Sequence, residues 1–82
     1  MHEVAWADTA IDGLAELCLH YADHWAEINS AVDIIEYRLR RSPMEHSRLI
    51  SEGLWRIDLT PIAICFTISP SDLTIESIGW IG

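Results

Sequence analysis

The residues in this chain with the clearest capacity for chemistry are cations, and they are concentrated in one short stretch. All five arginines lie between positions 38 and 56, and the chain contains no lysine. Guanidinium groups bind carboxylates and phosphates through paired hydrogen bonds. With one histidine, the basic residues of this stretch are Arg38, Arg40, Arg41, His46, Arg48 and Arg56. The functional interpretation is a patch on a sheet face and the adjoining helix end, where it meets an acidic protein segment or another anionic target.

A structural role is the alternative for the same arginines. Arg38, Arg40 and Arg41 fall at the end of a predicted helix, where cations interact favourably with the helix dipole. Arg56 lies in an apolar stretch, where it can pair with an acid in or beside its own strand. The acids available there are Asp58, Glu52 and Glu76. From the sequence alone, both roles stay open for Arg56.

Two histidines, His20 and His24, are four residues apart, with Glu16 and Glu27 nearby. On a continuous helix this spacing can hold a divalent metal. We expect a solvated helix face instead, because the helix is predicted to break at this point. The chain also contains no H-E-x-x-H, no C-x-x-C and no Gly-rich phosphate loop. We therefore assign no metal ligand, no cofactor and no catalytic residue.

The four tryptophans are candidates for the hydrophobic core. We expect Trp6, Trp25 and Trp55 to be mainly buried. Trp80 lies near the end of the sequence and is expected to be half exposed. A large aromatic side chain in that setting often anchors a partner protein. Trp80 therefore joins Arg41, Arg48 and Arg56 as a candidate contact for a partner protein or target.

The elements that position these side chains begin with two helices. Apolar residues recur at helical spacing through a stretch without proline from Asp8 to Arg41. Two successive spacings of three residues, from Ala22 to Trp25 and from Trp25 to Ile28, shift this stripe to another face of the helix. We therefore predict a break near Tyr21–His24. The predicted inward stripe is Ile11, Leu14, Ala15, Cys18, Ala22, Trp25, Ile28, Val32, Ile35 and Leu39.

Side chains at the helix ends predict the caps. Asp8 or Thr9 is expected to cap the first helix and Asp23 the second. The second helix should end by Ser42, because the residue before Pro43 is disfavoured in helical geometry.

Beyond Pro43 the apolar period changes to two, which indicates strands. The predicted strands are 46–53, 54–59, 62–68 and 73–81, with a short additional strand at "EVAW" before the helices. Alternation places Arg56 and Asp58 on one face of the second of these strands and its apolar residues on the other. The segment 62–68 is apolar on both faces, as in a central strand. A change of face in the last strand indicates a bulge near Ser77 or Gly79.

These elements form one α+β domain spanning residues 1–82: a helix hairpin packed on a three- to four-stranded antiparallel sheet. Half of the residues are apolar, which is enough for a core without disulfides. We expect Cys18 and Cys65 to be reduced, buried thiols of a cytoplasmic protein. The start of the sequence lacks the pattern of a signal peptide, and no apolar run has the length of a membrane span.

The net charge of −8 restricts the class of partner. Residues 1–36 contain eight acids and no arginine. Phosphate backbones repel such a surface at long range, so we do not expect direct binding of nucleic acid.

Several segments together resemble the RelE/ParE superfamily of small bacterial toxins from toxin–antitoxin pairs. They are a Trp ahead of the helix "AIDGLAEL", the second helix "HWAEINSAVDIIEYRLRRSP", the strands "RLISEGLWRIDLTPIAICFTI" and the end "LTIESIGWI". The most specific part is "LRRSP" followed by the Arg-containing strand "LWRIDL". The resemblance covers nearly the whole chain.

The resemblance implies a protein antitoxin whose C-terminal segment wraps the toxin, through an apolar groove between the helices and the sheet or at an exposed sheet edge. The ribosome-dependent mRNA interferases of the superfamily use Lys, Arg, His or Glu on the sheet, often with a Tyr or His near the C-terminus. The ParE-like branch lacks that set and inhibits DNA gyrase. Here there is no lysine, and Trp80 stands in "SIGWIG" near the end, so the ParE-like branch is the closer match.

We therefore expect a toxin-like protein of a bacterial plasmid-stabilisation type that acts by binding. Two alternatives stay open. One is a non-toxic interaction module of the same fold, with self-association into a homodimer. The other is an mRNA interferase that uses His46, Arg48 and Arg56.

Overall fold

The computed structural model describes residues 2–82, and its first half is the predicted pair of helices. Helix α1 spans Asp8–His20 and helix α2 spans Trp25–Arg41. A single 3-10 turn, Ala22–His24, separates them. The break predicted near Tyr21–His24 is therefore confirmed, as is the end of α2 before Ser42.

The predicted helix caps are wrong. The residues at the cap positions are Ala7 for α1 and His24 for α2, and neither makes a side-chain capping hydrogen bond. Thr9 instead donates its hydroxyl to the carbonyl oxygen of Glu76 at 2.8 Å. The backbone N–H of Ala7 donates to the carbonyl of Ile75 at 2.9 Å. Pairing with the sheet thus fixes the start of α1, and a side-chain cap is not needed to orient it.

Five strands form one sheet in the order β1-β5-β4-β3-β2. Their bounds are β1 Glu3–Trp6, β2 Ser47–Ser51, β3 Leu54–Leu59, β4 Ile62–Ile68 and β5 Asp72–Trp80. Strands β2 to β5 form the predicted antiparallel meander, with β4 in the centre.

The sheet contains one strand more than the predicted three or four. Strand β1 is the short segment "EVAW", and it pairs in parallel with β5, so that Val4 lies opposite Leu73. This pairing joins two segments about as far apart as the chain allows. The local pattern of "EVAW" indicates a strand but contains no information on its partner.

The core lies between the two helices and one face of the sheet. The residues of α2 that the sequence places inward, Ile28, Val32, Ile35 and Leu39, are all buried. Opposite them, the fully buried residues of the sheet are Ile57, Ile62, Ile64, Phe66, Leu73 and Ile75. Half-buried apolar side chains, among them Trp6, Trp55 and Trp80, pack around this cluster.

The inward face of α1 differs from the prediction. Ala10 and Leu17 are buried, whereas Ile11 is 51% exposed. Small residues on the inward face let the helix approach the sheet: a Cβ added at Gly13 would lie 3.1 Å from Cγ2 of Ile78. Because Ala10 and Gly13 contribute little to an apolar pattern, the larger outward Ile11 shifted the predicted stripe. Trp25, the first residue of α2, is 59% exposed and was wrongly placed in the core.

The predicted bulge in the last strand is confirmed next to Ser77. Ser77 pairs with Cys65 and Ile75 pairs with Phe66, so Glu76 is the extra residue. The bulge lets Ile75 and Ile78 both face the helices. It also leaves Cys65 in register with Arg56 on the opposite face of the sheet.

Both cysteines are free and half-buried. Cys18 packs against the core cluster, as predicted, but Cys65 is not part of that cluster. No helix within residues 2–82 is long and apolar enough to cross a membrane.

Candidate functional site

The face of the sheet opposite the helices, which we call the open face, is the best candidate for a functional surface. The core of the described residues 2–82 lies on the helix side of the sheet. Across the open face, Arg48, Arg56, Cys65 and Ser77 lie side by side on strands β2, β3, β4 and β5. The alternation predicted for β3 is therefore correct: Ile57 is buried on the helix side, and Arg56 and Asp58 lie on the other.

Arg56 forms an ion pair with Asp58 along its own strand. The distance from Nε of Arg56 to Oδ1 of Asp58 is 2.6 Å, and the two side chains are 31% and 41% exposed. The hydrogen bond from Arg56 to Asp58, reinforced by the opposite charge, raises the pKa of Arg56 above its ordinary value. Of the three acids available from the sequence, Asp58 is thus the partner. The carboxylate of Glu76 accepts a hydrogen bond from the hydroxyl of Thr67 at 2.8 Å instead.

Arg48 lies directly opposite Arg56 on the neighbouring strand. Within residues 2–82 it makes no ion pair. Like charges at directly opposite positions of a sheet are destabilising. The two arginines share a pocket of about 200 Å³, whose lining residues are His46, Ser47, Arg48, Arg56 and Asp58. This arrangement places two positive charges on neighbouring strands of a protein whose net charge is −8.

The other arginines of the predicted patch lie elsewhere. Arg40 pairs with Glu36 along α2 at 3.2 Å. The guanidinium carbon of Arg41 lies 5.3 Å from the centre of the Tyr37 ring, in cation–π geometry. Arg38, Arg40 and Arg41 thus occupy the last turn of α2, where they favour the helix dipole. The predicted patch divides into a helix-end group and the Arg48–Arg56 pair.

Trp80 is half-buried, as expected, but it lies on the opposite side of the sheet from Arg56. It stacks on Tyr21 with ring centres 3.9 Å apart and an interplanar angle of 5°. The ring of His24 lies 5.3 Å from the same indole. Trp80 therefore closes the bend between the helices, a role that sequence reasoning missed because Tyr21 is distant in the sequence.

Of the two histidines at the bend, His20 is the last residue of α1 and His24 lies in the 3-10 turn. Nδ1 of His24 lies 3.2 Å from Oε1 of Glu27, and the ring of His20 lies 6.5 Å from that of Tyr21. Within the described residues, no three His, Cys, Asp or Glu side chains are grouped as metal ligands.

A groove lies between the helices and the sheet at one end of the molecule. It has a volume of about 380 Å³ and is formed by the first half of α2 and the β3–β4 turn. Ile34 at its edge is 45% exposed. The remaining lining residues are Ala26, Glu27, Ser30, Ala31, Leu59, Thr60 and Pro61.

Comparison with solved structures identifies the fold. A chain of the RelBE2 toxin–antitoxin complex from Mycobacterium tuberculosis matches with a TM-score of 0.77 and 17% identity, covering 96% of each chain. A chain of the chromosomal ParDE system from P. aeruginosa matches with a TM-score of 0.73 and 22% identity, covering 100% of this chain and 98% of the other. The chain has the RelE/ParE fold.

A third structure with the RelE/ParE fold extends the comparison. A chain of the YoeB-YefM toxin–antitoxin complex from Staphylococcus aureus matches with a TM-score of 0.61 and 13% identity, covering 98% of this chain and 97% of the other. No protein-family model and no curated protein matches the sequence. The similarity to proteins of the RelE/ParE fold is thus a similarity of structure along the whole chain, and the fold expected from the sequence is confirmed.

Proposed function

We propose that this protein is the toxin-like component of a bacterial toxin–antitoxin pair, that it acts in the cytoplasm by binding its target, and that a protein antitoxin neutralises it. The observation that carries the proposal is the uncovered Arg48–Arg56 pair on the open face of a RelE/ParE fold. Each of the three structural relatives comes from a toxin–antitoxin system.

Binding is favoured over RNA cleavage by the state of the open face. Cleavage requires an acid and a base that are free to transfer protons. The carboxylates on this face are already engaged, Asp58 with Arg56 and Glu76 with Thr67. The net charge of −8 also opposes the approach of a polyanion. Inhibition of DNA gyrase, as in the ParE-like branch, is therefore the first candidate activity.

An mRNA interferase is the second candidate function. The pocket on the open face brings His46 together with Arg48 and Arg56. An imidazole can transfer a proton and two guanidinium groups can stabilise a phosphorane.

The antitoxin has two candidate contacts. The groove between α2 and the β3–β4 turn can accept an apolar helix face, and the outer edge of β2 can accept a strand. Leu49 and Ile50, 56% and 48% exposed on β2, add apolar surface at that edge. A homodimer or a non-toxic interaction module would use the same apolar surfaces.

Induction of the protein alone in a bacterial host tests the proposal. We expect growth arrest by the wild-type protein, loss of arrest by Arg56→Ala, and full arrest by Arg40→Gln. Arg40 is the matched control because it lies at the end of α2, paired with Glu36. Plasmid supercoiling and total mRNA integrity, measured in the same cultures, distinguish gyrase inhibition from RNA cleavage. Normal growth with soluble, folded wild-type protein would overturn the toxin function.

A further inference from the structure

The pocket on the open face holds one positive charge that the protein does not neutralise. Arg56 is paired with Asp58, whereas Arg48 has no ion-pair partner within residues 2–82. We propose that this pocket binds a single carboxylate, the side chain of an aspartate or glutamate of the partner protein. That the carboxylate belongs to a protein partner rests on the proposed function; the carboxylate specificity rests on the pocket.

The donors of the pocket fit the two oxygens of a carboxylate. Arg48 and Arg56 occupy directly opposite positions on β2 and β3, where Cβ atoms lie about 4.5–5.5 Å apart. Arg56 donates to Asp58 through Nε, so its Nη groups remain available as donors. A carboxylate between the two guanidinium groups can accept charge-assisted hydrogen bonds from both.

Charge balance favours one carboxylate over a phosphodiester chain. Two guanidinium groups and the Asp58 carboxylate leave one formal positive charge in the pocket, which one carboxylate neutralises. A nucleic acid would bring further phosphates toward a protein with a net charge of −8.

The position of Arg48 supports the same conclusion. Its position directly opposite Arg56 places two like charges on neighbouring strands, an arrangement that disfavours the folded state. No carboxylate within residues 2–82 compensates it. A carboxylate from outside the chain would offset this repulsion. Binding of an anionic partner at this pocket would therefore stabilise the folded protein.

Nuclear magnetic resonance of the Arg Nε–Hε groups tests the proposal on the full chain. The probe is N-acetyl-glutamic acid α-amide, which carries one carboxylate, and the matched uncharged ligand is N-acetyl-glutamine amide. We expect saturable shifts of the Arg48 and Arg56 signals with the first ligand at low ionic strength and none with the second. Arg48→Gln should weaken binding about tenfold, which corresponds to the loss of a charge-assisted hydrogen bond. Arg40→Gln should leave binding unchanged.

Two further ligands identify the source of the anion. Inorganic phosphate and hexauridylate are titrated in the same way. Tighter binding of hexauridylate than of the glutamate derivative would overturn the proposal in favour of nucleic acid. Equal shifts with the glutamine derivative, no saturable shift, or unchanged binding to the folded Arg48→Gln variant would also overturn it.

This result is independent of the growth assay. Carboxylate binding without growth arrest would support the carboxylate site and contradict the proposed toxin function. Growth arrest without carboxylate binding would support the toxin function and contradict the carboxylate site.

Discussion

Arg56, a charged residue within an apolar strand, is held on the open face by an interaction along its own strand. Its ion pair with Asp58 raises the pKa of Arg56. A raised pKa in the folded state adds stability that is fully present below the ordinary pKa of arginine and is lost only as the pH rises through the raised value. Arg56 therefore keeps its charge throughout the physiological pH range.

The two arginines of the pocket should differ in their effect on stability. Arg48→Gln removes a repulsion and no ion pair, so we expect the free energy of unfolding to stay within about 0.5 kcal/mol of wild type or to rise. Arg56→Gln removes the ion pair with Asp58 and should lower the free energy of unfolding. Urea denaturation of both variants measures the difference. A clear loss of stability in Arg48→Gln would show that Arg48 has a structural role inside the chain.

At Gly13, helix α1 lies close to Ile78 of the sheet. Gly13→Val would place its branched side chain against Ile78, and such overpacking costs about 1–3 kcal/mol. Thermal unfolding measures this cost. Gly79→Ser is the control, because a Cβ at Gly79 meets no atom within 4 Å. Equal destabilisation by both changes would contradict the close approach of α1 to β5.

At the scale of elements, the bend between the helices depends on contacts with the last strand. Helix α2 begins at the bend without a side-chain cap, and Trp80 of β5 stacks on Tyr21 there. The stacking of Tyr21 on Trp80 thus holds the bend of the helix hairpin against the sheet.

A double-mutant cycle measures the interaction energy between Tyr21 and Trp80. We expect Tyr21→Ala and Trp80→Ala to show a coupling energy of about 0.5–1.5 kcal/mol in the free energy of unfolding, as aromatic pairs do. Trp25→Ala, which truncates a mostly exposed ring, should have little effect. Additive effects of Tyr21→Ala and Trp80→Ala would mean that the stack contributes nothing beyond burial.

The elements themselves were largely predictable, because their signals are local. Two successive spacings of three residues in the apolar stripe indicate the bend between the helices. Alternation in "LWRIDL" places Arg56 on the open face. The face of α1 was not predictable, because the packing of Ala10 and Gly13 against β5 decides it. The position of Arg48 opposite Arg56 depends on the register of the β2–β3 hairpin, which contains a bulge between Leu49 and Ser51.

At the scale of the whole molecule, charge is unevenly distributed. Eight acids and no arginine lie in residues 1–36, and all five arginines lie between positions 38 and 56. The ion pairs found within residues 2–82 involve only three acids, Glu27, Glu36 and Asp58. Most of the negative charge is therefore uncompensated within the fold.

Salt should stabilise this protein. Raising the concentration of NaCl screens the repulsion among the acids, so we expect the Tm to rise. Each kcal/mol gained corresponds to about 4–8 °C in a domain of this size. Thermal unfolding at low and high NaCl, monitored by circular dichroism, measures the effect. A Tm that falls with salt would mean that attractive ion pairs dominate the balance of charges.

The order of the strands also decides when the sheet can be completed during synthesis of the chain. Ribosomes deliver a protein from its N-terminus, yet β5, the last element, lies inside the sheet between β1 and β4. Until β5 emerges, β1 has no partner strand and α1 has no surface on which to pack. The open face belongs to a sheet that is finished only when the last strand enters it. We therefore expect the complete open face to form only after β5 has been synthesised.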